Sequence, residues 1–181
     1  RYVSLVEDTT DVATVVAPDG TMTYVSPAVR RVLGYDPEEL VGENGYEFQH
    51  PDDRETVEAA IADVLADPGE SRTVEVRFRQ ADGSWCWVES TIRNLLEDDL
   101  VGGVLVYSRD ISDRKERERA LRQRTEEYEA LFENADDAIF LVAVEAGETG
   151  DPEFRYERLS PSHESRTGLT TEDIRGKTPA E

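Results

Sequence analysis

The pattern of apolar and polar positions divides the first part of the chain into short strands and helices. Two β-rich runs, at 12–16 and 21–25, flank a Pro-Asp-Gly turn and predict a pair of strands. Serine or aspartate followed by proline is typical of a helix start, and this pattern predicts short helices after Ser26 and Asp36. A longer helix is predicted from Pro51. Its apolar face is formed by Val57, Ala60, Ile61, Val64 and Leu65.

Three further strands are predicted, at 74–79, 85–95 and 100–110, because apolar and polar side chains alternate in them with a period of two. The faces that we expect to point toward the helices carry Val74, Val76, Phe78, Cys86, Val88, Ser90, Ile92, Val104, Val106 and Ser108. The opposite faces carry Trp85, Trp87, Leu105 and Tyr107. This order of elements predicts an α+β domain.

A charged helix is predicted from Ile111 to Glu133, with few apolar residues. Leu121 and Tyr128 lie seven residues apart, which is the spacing of a short two-stranded coiled coil. The alternative is a solvated spacer helix, since the heptad pattern covers too few turns to decide between them.

The chain then begins to repeat itself. Ser26-Pro27, Gly34, Glu38 and Gly42 have counterparts at one constant offset, namely Ser160-Pro161, Gly168, Glu172 and Gly176. Colinear matches of this kind indicate an internal repeat. The second copy has no counterpart of the long helix or of the last three strands. We therefore expect residues 131–181 to be the first part of a second domain, cut from a longer protein.

Acidic residues outnumber basic ones by 41 to 20, which gives a formal net charge of −21. The acids are spread along the chain, whereas an acidic binding face would be local and a disordered acidic tail would lack apolar periodicity. This composition favours a protein adapted to high salt, where self-repulsion is screened. So negative a surface makes nucleic-acid binding by this segment unexpected. No apolar run approaches the ~18 residues of a membrane span, and the single cysteine cannot pair within the chain.

Four motifs in order carry a family resemblance. The first, at 34–42, reads Gly-Tyr-Asp-Pro-Glu-Glu-Leu-Val-Gly, and the second, at 50–54, reads His-Pro-Asp-Asp-Arg. The third combines Asp-Gly-Ser at 82–84 with Trp-Val-Glu at 87–89. The fourth begins Arg-Asp-Ile-Ser at 109–112. Together they resemble the signature, long-helix start, strand turn and exit motif of PAS domains.

The resemblance implies a five-stranded antiparallel sheet with helices on one face. On that basis we expect a PAS domain with its exit motif at 1–112, a signal or linker helix at 113–130, and the truncated second PAS domain at 131–181. PAS domains are sensory and dimerisation modules. The fold itself fixes neither the ligand nor the output.

The first candidate site is the cavity that PAS domains form between sheet and long helix. The residues expected to line it are Val57, Ile61, Leu65, Val76, Phe78, Val88, Ser90, Ile92, Val104, Val106 and Ser108. Mostly apolar walls with a few hydroxyl groups suit a small neutral or weakly polar ligand. The alternative is that these side chains simply fill the core.

The second candidate site is the opposite face of the sheet. Trp85, Trp87, Leu105 and Tyr107 are expected to lie close together there and would form a large exposed patch if nothing covered them. The cover would come from Tyr2, Val3, Leu5 and Val6, from the exit helix, or from a second subunit. We expect a homodimer.

The resemblance also bears on cofactors, which the sequence leaves unknown. Haem-binding members carry a ligand histidine within the long helix, but 52–66 contains none. Light-sensing flavin members carry a reactive cysteine in the region that matches 43–49, which has no cysteine. Both modes are therefore unexpected. We expect His50 to act as a local cap and Cys86 to be a small buried residue, and we predict no metal site and no catalytic residues.

The function predicted from the resemblance is an intracellular, cytoplasmic sensor module without membrane insertion. A signal would pass from the last strand through Asp110, Ile111 and Ser112 into the helix that carries Leu121 and Tyr128. That helix is about 30 Å long at ~1.5 Å per residue. The output would be a two-component histidine kinase in the same chain, or alternatively a transcriptional regulator with a helix-turn-helix domain. A stand-alone enzyme has no catalytic constellation to support it.

Overall fold

The computed structural model describes residues 10–67, 70–146 and 152–179. The chain forms two compact units, one extending to Arg117 and the other beginning at Glu118. The N-terminal residues that were expected to cover the outer sheet face lie outside the described part of the chain.

The first unit contains a five-stranded sheet. Its strands are β1 (Val12–Val16), β2 (Met22–Val25), β3 (Ser71–Arg79), β4 (Trp85–Leu95) and β5 (Gly103–Asp110). They lie in the order β2-β1-β5-β4-β3, and every neighbouring pair is antiparallel. The fold class expected from the sequence is therefore confirmed. The third strand begins earlier than predicted, at Ser71, and the last strand begins later, at Gly103, because Leu100 lies exposed in the preceding turn.

Short helices and one longer helix pack on the inner face of this sheet. They are α1 (Val29–Val32), α2 (Pro37–Leu40), two 3₁₀ turns (Gly45–Phe48 and Pro51–Asp53) and α3 (Arg54–Ala66). Asp36 and Glu39 form a reciprocal capping box at α2. The Nδ1 atom of His50 accepts a hydrogen bond of 3.3 Å from the backbone N–H of Asp52. His50 thus occupies the capping position expected for it.

The strand register corrects one prediction about the outer face. Tyr107 lies opposite Thr91, and Leu105 lies opposite Arg93. Trp87 is four residues from Thr91 along β4, which is about 13 Å at ~3.3 Å per residue. Alternation was read correctly, but the sequence does not give the register. The two tryptophans therefore lie at one end of β4, and the single four-residue patch was wrong.

The second unit reproduces the opening segment of the first. It contains most of α4 (Ser112–Glu133), a hairpin of β6 (Phe140–Ala146) and β7 (Pro152–Leu159), and the short helices α5 (Pro161–Thr167) and α6 (Thr171–Ile174). The hydroxyl of Ser160 accepts a hydrogen bond from Ile139 N–H at 3.1 Å, as Ser26 does from Ala13 N–H at 3.0 Å. Both serines are fully buried.

The backbone contacts of the two copies match as well. Met22 N–H bonds to the Glu43 carbonyl, and its own carbonyl accepts from Gly42 N–H. Tyr156 makes the same two bonds with Lys177 and Gly176. Gly42 and Gly176 both have positive φ, at 94° and 79°, a conformation that only glycine adopts without strain. The sequence matches therefore correspond to one repeated backbone framework.

Candidate functional site

An apolar cavity lies inside the first unit, between the inner face of the sheet and the helices. Its volume is about 80 Å³. Nine of the residues predicted for the cavity line it: Val57, Ile61, Val76, Phe78, Val88, Ser90, Ile92, Val106 and Ser108. Whether a ligand occupies it stays a prediction.

Two of the predicted residues lie elsewhere. Val104 is buried, and Leu65 packs half-buried, in a separate apolar cluster with Ala60, Val64 and Ile92. This cluster fills the end of the sheet where α3 finishes. The alternation of inward-facing apolar residues continues beyond the cavity into the packed cluster. Periodicity alone therefore could not distinguish residues that line the cavity from residues that pack in the core.

The part of the lining that comes from the first strands and turns was not predicted from the sequence. Thr14, Met22, Tyr46 and Gln49 line the cavity together with apolar residues of β1, α1 and α2. The alternation of Val12, Thr14 and Val16 could have indicated the β1 contribution. Gln49 has a weaker signal, since it is a lone uncharged polar residue between Phe48 and His50.

The polar groups of the cavity are few. The hydroxyl oxygens of Ser90 and Ser108, facing each other across β4 and β5, are 2.9 Å apart. Burial raises the pKa of the Tyr46 phenol, and the negative charge of Glu58 raises it further. The Oε1 atom of Gln49 is buried without a hydrogen-bond partner. Polar anchoring is thus confined to hydroxyl and amide groups.

The size of the cavity limits what it can hold. Pockets for drug-sized ligands measure roughly 300–1,000 Å³. A cavity of about 80 Å³ would have to expand several-fold to admit a haem or a flavin. In the shape described, it suits a molecule smaller than benzene, which occupies an engineered cavity of about 150 Å³.

The exit from the sheet into α4 is built on β4. Ile111 N–H donates to the Trp87 carbonyl at 2.9 Å, and Trp87 N–H donates to the Ser112 hydroxyl at 3.2 Å. The Asp110 carboxylate accepts from Ser112 N–H at 2.8 Å. Ile111 is buried. The three predicted relay residues therefore join the end of the sheet to the first turn of the helix.

Cys86 lies beside this exit. Its sulfur is 3.5 Å from the Ser112 hydroxyl, and burial raises the pKa of the thiol to about 11, against a smaller lowering by that hydroxyl. At neutral pH the group is a protonated thiol.

A cluster of charges surrounds Trp87 on the outer face. The Arg77 guanidinium lies 5.2 Å and the Lys115 ammonium 4.9 Å from the centroid of the Trp87 ring. Arg77 also forms a two-pronged ion pair with Asp53, which directly precedes α3. Lys115 pairs with Glu75 at 2.5 Å. The first turn of α4 is one of the covers proposed for the outer face, and it contacts this tryptophan.

Trp85 occupies a different environment. Its ring lies 4.7 Å from that of His50, and the residue remains 42% exposed. Leu105 and Tyr107 are half-buried. The homodimer expected at this face stays a prediction.

The apolar residues of α4 within the second unit differ in exposure. Leu121 and Tyr128 are 68% and 41% exposed, whereas Phe132 is buried beneath the Arg158 guanidinium. Arg158 also pairs with Glu129 at 2.9 Å, and this pairing lowers the pKa of the Glu129 carboxyl. The face predicted for a coiled coil is thus open at Leu121 and Tyr128.

Two features are absent within the described ranges. No helix there is long and apolar enough to cross a membrane. No group of three or more histidine, cysteine or acidic side chains there could hold a metal ion.

Comparisons with known proteins agree with the fold. A family model described as the PAS fold matches residues 22–101. The crystal structure of the PAS domain of an HTR-like protein from Haloarcula marismortui is 31% identical, with a TM-score of 0.52, and the match covers 61% of this chain and 89% of that one.

Two curated proteins are also similar. The uncharacterized protein y4lL of Sinorhizobium fredii is 31% identical over 163 residues, which cover 88% of this chain. Basic helix-loop-helix ARNT-like protein 2 of Gallus gallus is 35% identical over 81 residues, or 45% of this chain. The chain spans only 18% and 13% of the lengths of these two proteins. From its sheet order, its sequence motifs and these relatives, the chain belongs to the PAS family, whose domains are sensory modules in signalling.

Proposed function

We propose that this chain is an intracellular sensory and dimerisation module that relays a signal through α4 to an output domain. The output domain that we favour is a two-component histidine kinase. The observation that carries the proposal is the join between sheet and helix, where Trp87 N–H donates to the hydroxyl of Ser112 at 3.2 Å. Any movement of β4 at this point changes the contacts of the first turn of α4.

The cavity and the exit share the same two strands. Ser90 and Ser108 meet in the cavity, and Ser112 follows four residues after Ser108. A ligand that separates this pair of hydroxyls would alter the pairing of β4 with β5. That pairing ends at Val88 and Asp110, and the next hydrogen bond between the two segments runs from Ile111 N–H to the Trp87 carbonyl. Small shifts can be amplified in this way because packed cores and interfaces are bistable rather than continuously deformable.

A second connection runs over the outer face. Asp53 directly precedes α3, whose Val57 and Ile61 line the cavity, and it holds Arg77 by hydrogen bonds of 2.7 and 2.9 Å. Arg77 and Lys115 both lie against the Trp87 ring. Movement of α3 would therefore reach the first turn of α4 through a chain of direct contacts.

The helix would carry the change onward as one of a pair. Leu121 and Tyr128 lie seven residues apart and are exposed, so a second copy of α4 would bury both in a short coiled coil. This supports a homodimer in which relative rotation or sliding of the two helices is the transmitted signal.

A transcriptional regulator is the second candidate. The similarity to basic helix-loop-helix ARNT-like protein 2 favours it, since that name denotes a DNA-binding motif. The negative charge of this segment leaves any DNA contact to another part of such a protein.

The test uses the full-length protein that contains this segment. Incubation with radiolabelled ATP should yield an acid-labile phosphohistidine. Replacing Leu121 and Tyr128 with serine should abolish the response of that labelling to the stimulus, while the sheet stays folded by circular dichroism. A matched Gln123→Ser, Glu126→Ser variant should keep the response. An unaltered response in the Leu121/Tyr128 variant would refute relay through this helix face, and sequence-specific DNA binding without phosphorylation would replace the kinase by the regulator.

A further inference from the structure

Gln49 lies at the cavity wall, and its backbone bonds to the preceding 3₁₀ turn and pairs with β3. It follows the first 3₁₀ turn, donates its N–H to the Tyr46 carbonyl at 3.3 Å, and forms an isolated antiparallel bridge with Phe78 of β3. Its side chain lines the cavity, and its Oε1 atom is buried without a hydrogen-bond partner. A buried acceptor of this kind calls for a donor from outside the protein.

A complementary group lies on the sheet. Ser90 and Ser108 each carry one hydroxyl hydrogen, and the 2.9 Å contact between their oxygens uses only one of the two. The second hydrogen has no acceptor within the pair and is available to a molecule in the cavity. The serine pair is therefore a second polar group of the cavity, separate from Gln49.

The rest of the lining restricts the charge and size of that molecule. No acidic or basic side chain lines the cavity in the part of the chain that the structure describes. Burial of an unpaired charge in such surroundings is strongly unfavourable, so the ligand must be neutral. The volume of about 80 Å³ holds a compact molecule smaller than benzene.

We infer that Gln49 makes this cavity selective for a small neutral ligand that carries a hydroxyl or amide hydrogen. Such a ligand donates to Gln49 Oε1, and its carbon skeleton contacts the apolar walls. This inference rests on the proposed sensory role of the cavity and names the determinant of its specificity.

The test compares propan-2-ol with acetone, which share a carbon skeleton and differ in whether the oxygen carries a hydrogen. Each is titrated into the ¹⁵N-labelled chain, and the amide shifts of Val76, Val88 and Val106 report binding. The wild-type chain should bind propan-2-ol about five- to tenfold more tightly than acetone, which is the effect of one net hydrogen bond. Gln49→Met should abolish that preference, while Gln123→Met, on exposed helix surface, should retain it.

The outcomes separate this inference from the function on which it rests. If both probes bind and the preference is the same in Gln49→Met, or if wild type prefers acetone, the role of Gln49 is refuted and the ligand-binding cavity stands. If neither probe shifts the cavity amides in any folded variant, Gln49 serves only an internal water, and the ligand-sensing proposal fails with the inference.

Discussion

The ion pair between Asp53 and Arg77 offers a sharp test of how the first unit is held together. Removing the carboxylate with Asp53→Ala deletes three hydrogen bonds, from the N–H, Nε and Nη2 of Arg77, at 2.8, 2.9 and 2.7 Å. The side chains are only 14% and 24% exposed. The guanidinium would keep its desolvation cost and retain only the more distant Asp52 carboxylate, at 3.5 Å.

The expected cost lies between two known limits. An exposed ion pair contributes about 0–1 kcal/mol, and removal of one partner from a fully buried pair costs about 3–5 kcal/mol. The partial exposure of this pair places Asp53→Ala at about 2–3 kcal/mol. At roughly 4 °C per kcal/mol for a domain of this size, Tm should fall by about 8–12 °C. Arg30→Ala, which removes a pair exposed by 54% and 61%, should lower Tm by less than about 4 °C.

Tryptophan fluorescence is the appropriate assay, because both tryptophans of the chain lie in β4 and report the first unit alone.

The hydrogen bonds from Arg77 lower the pKa of Asp53, against the opposing effect of burial. The stabilisation is therefore present above the ordinary carboxyl pKa of about 4 and is lost as pH falls through the lower native value. A Tm for Asp53→Ala within about 2 °C of wild type at neutral pH would refute the reasoning. A difference that does not shrink as pH falls below the ordinary carboxyl pKa of about 4 would refute it as well.

Two further predictions concern the buried thiol and the surface charge. Iodoacetamide should label Cys86 slowly at pH 8 in the folded chain and fast in urea, and stability should fall as pH rises from about 9 toward 11, because the raised pKa keeps the thiol protonated in the folded state. Equal labelling rates in the two states would contradict this. Because the whole chain carries a net charge of −21, the first unit should melt at higher temperature as KCl rises into the molar range. A Tm that does not depend on KCl would contradict adaptation to high salt.

Much of the fold could be predicted because local signals agreed with each other. Alternation placed β4 at Trp85–Leu95, and the cap-then-proline pattern placed the start of α2 at Pro37. The repeated serine and glycine positions anticipated hydrogen bonds that the second unit makes. These features depend on near neighbours in sequence, so one sequence is enough to reveal them.

What could not be predicted depends on contacts between distant segments. The register of β4 against β5 separates Trp87 from Tyr107, and only cross-strand pairing fixes it. Gln49 reaches the cavity because its backbone bridges to Phe78, far along the chain. Likewise the contact of Lys115 with Trp87 depends on the direction in which α4 leaves the sheet. Periodicity carries no information on any of these.

The repeated framework separates the parts of this fold that must be kept from those that are free to change. Met22 and Tyr156 make the same two backbone bonds in the two copies, yet one is a cavity-lining thioether and the other a phenol. The bonds that define the turn come from main-chain groups, not from the side chain that lines the cavity. Mutation at such a position can therefore change the lining of the cavity without disturbing the scaffold, which is a molecular basis for evolvability in this fold.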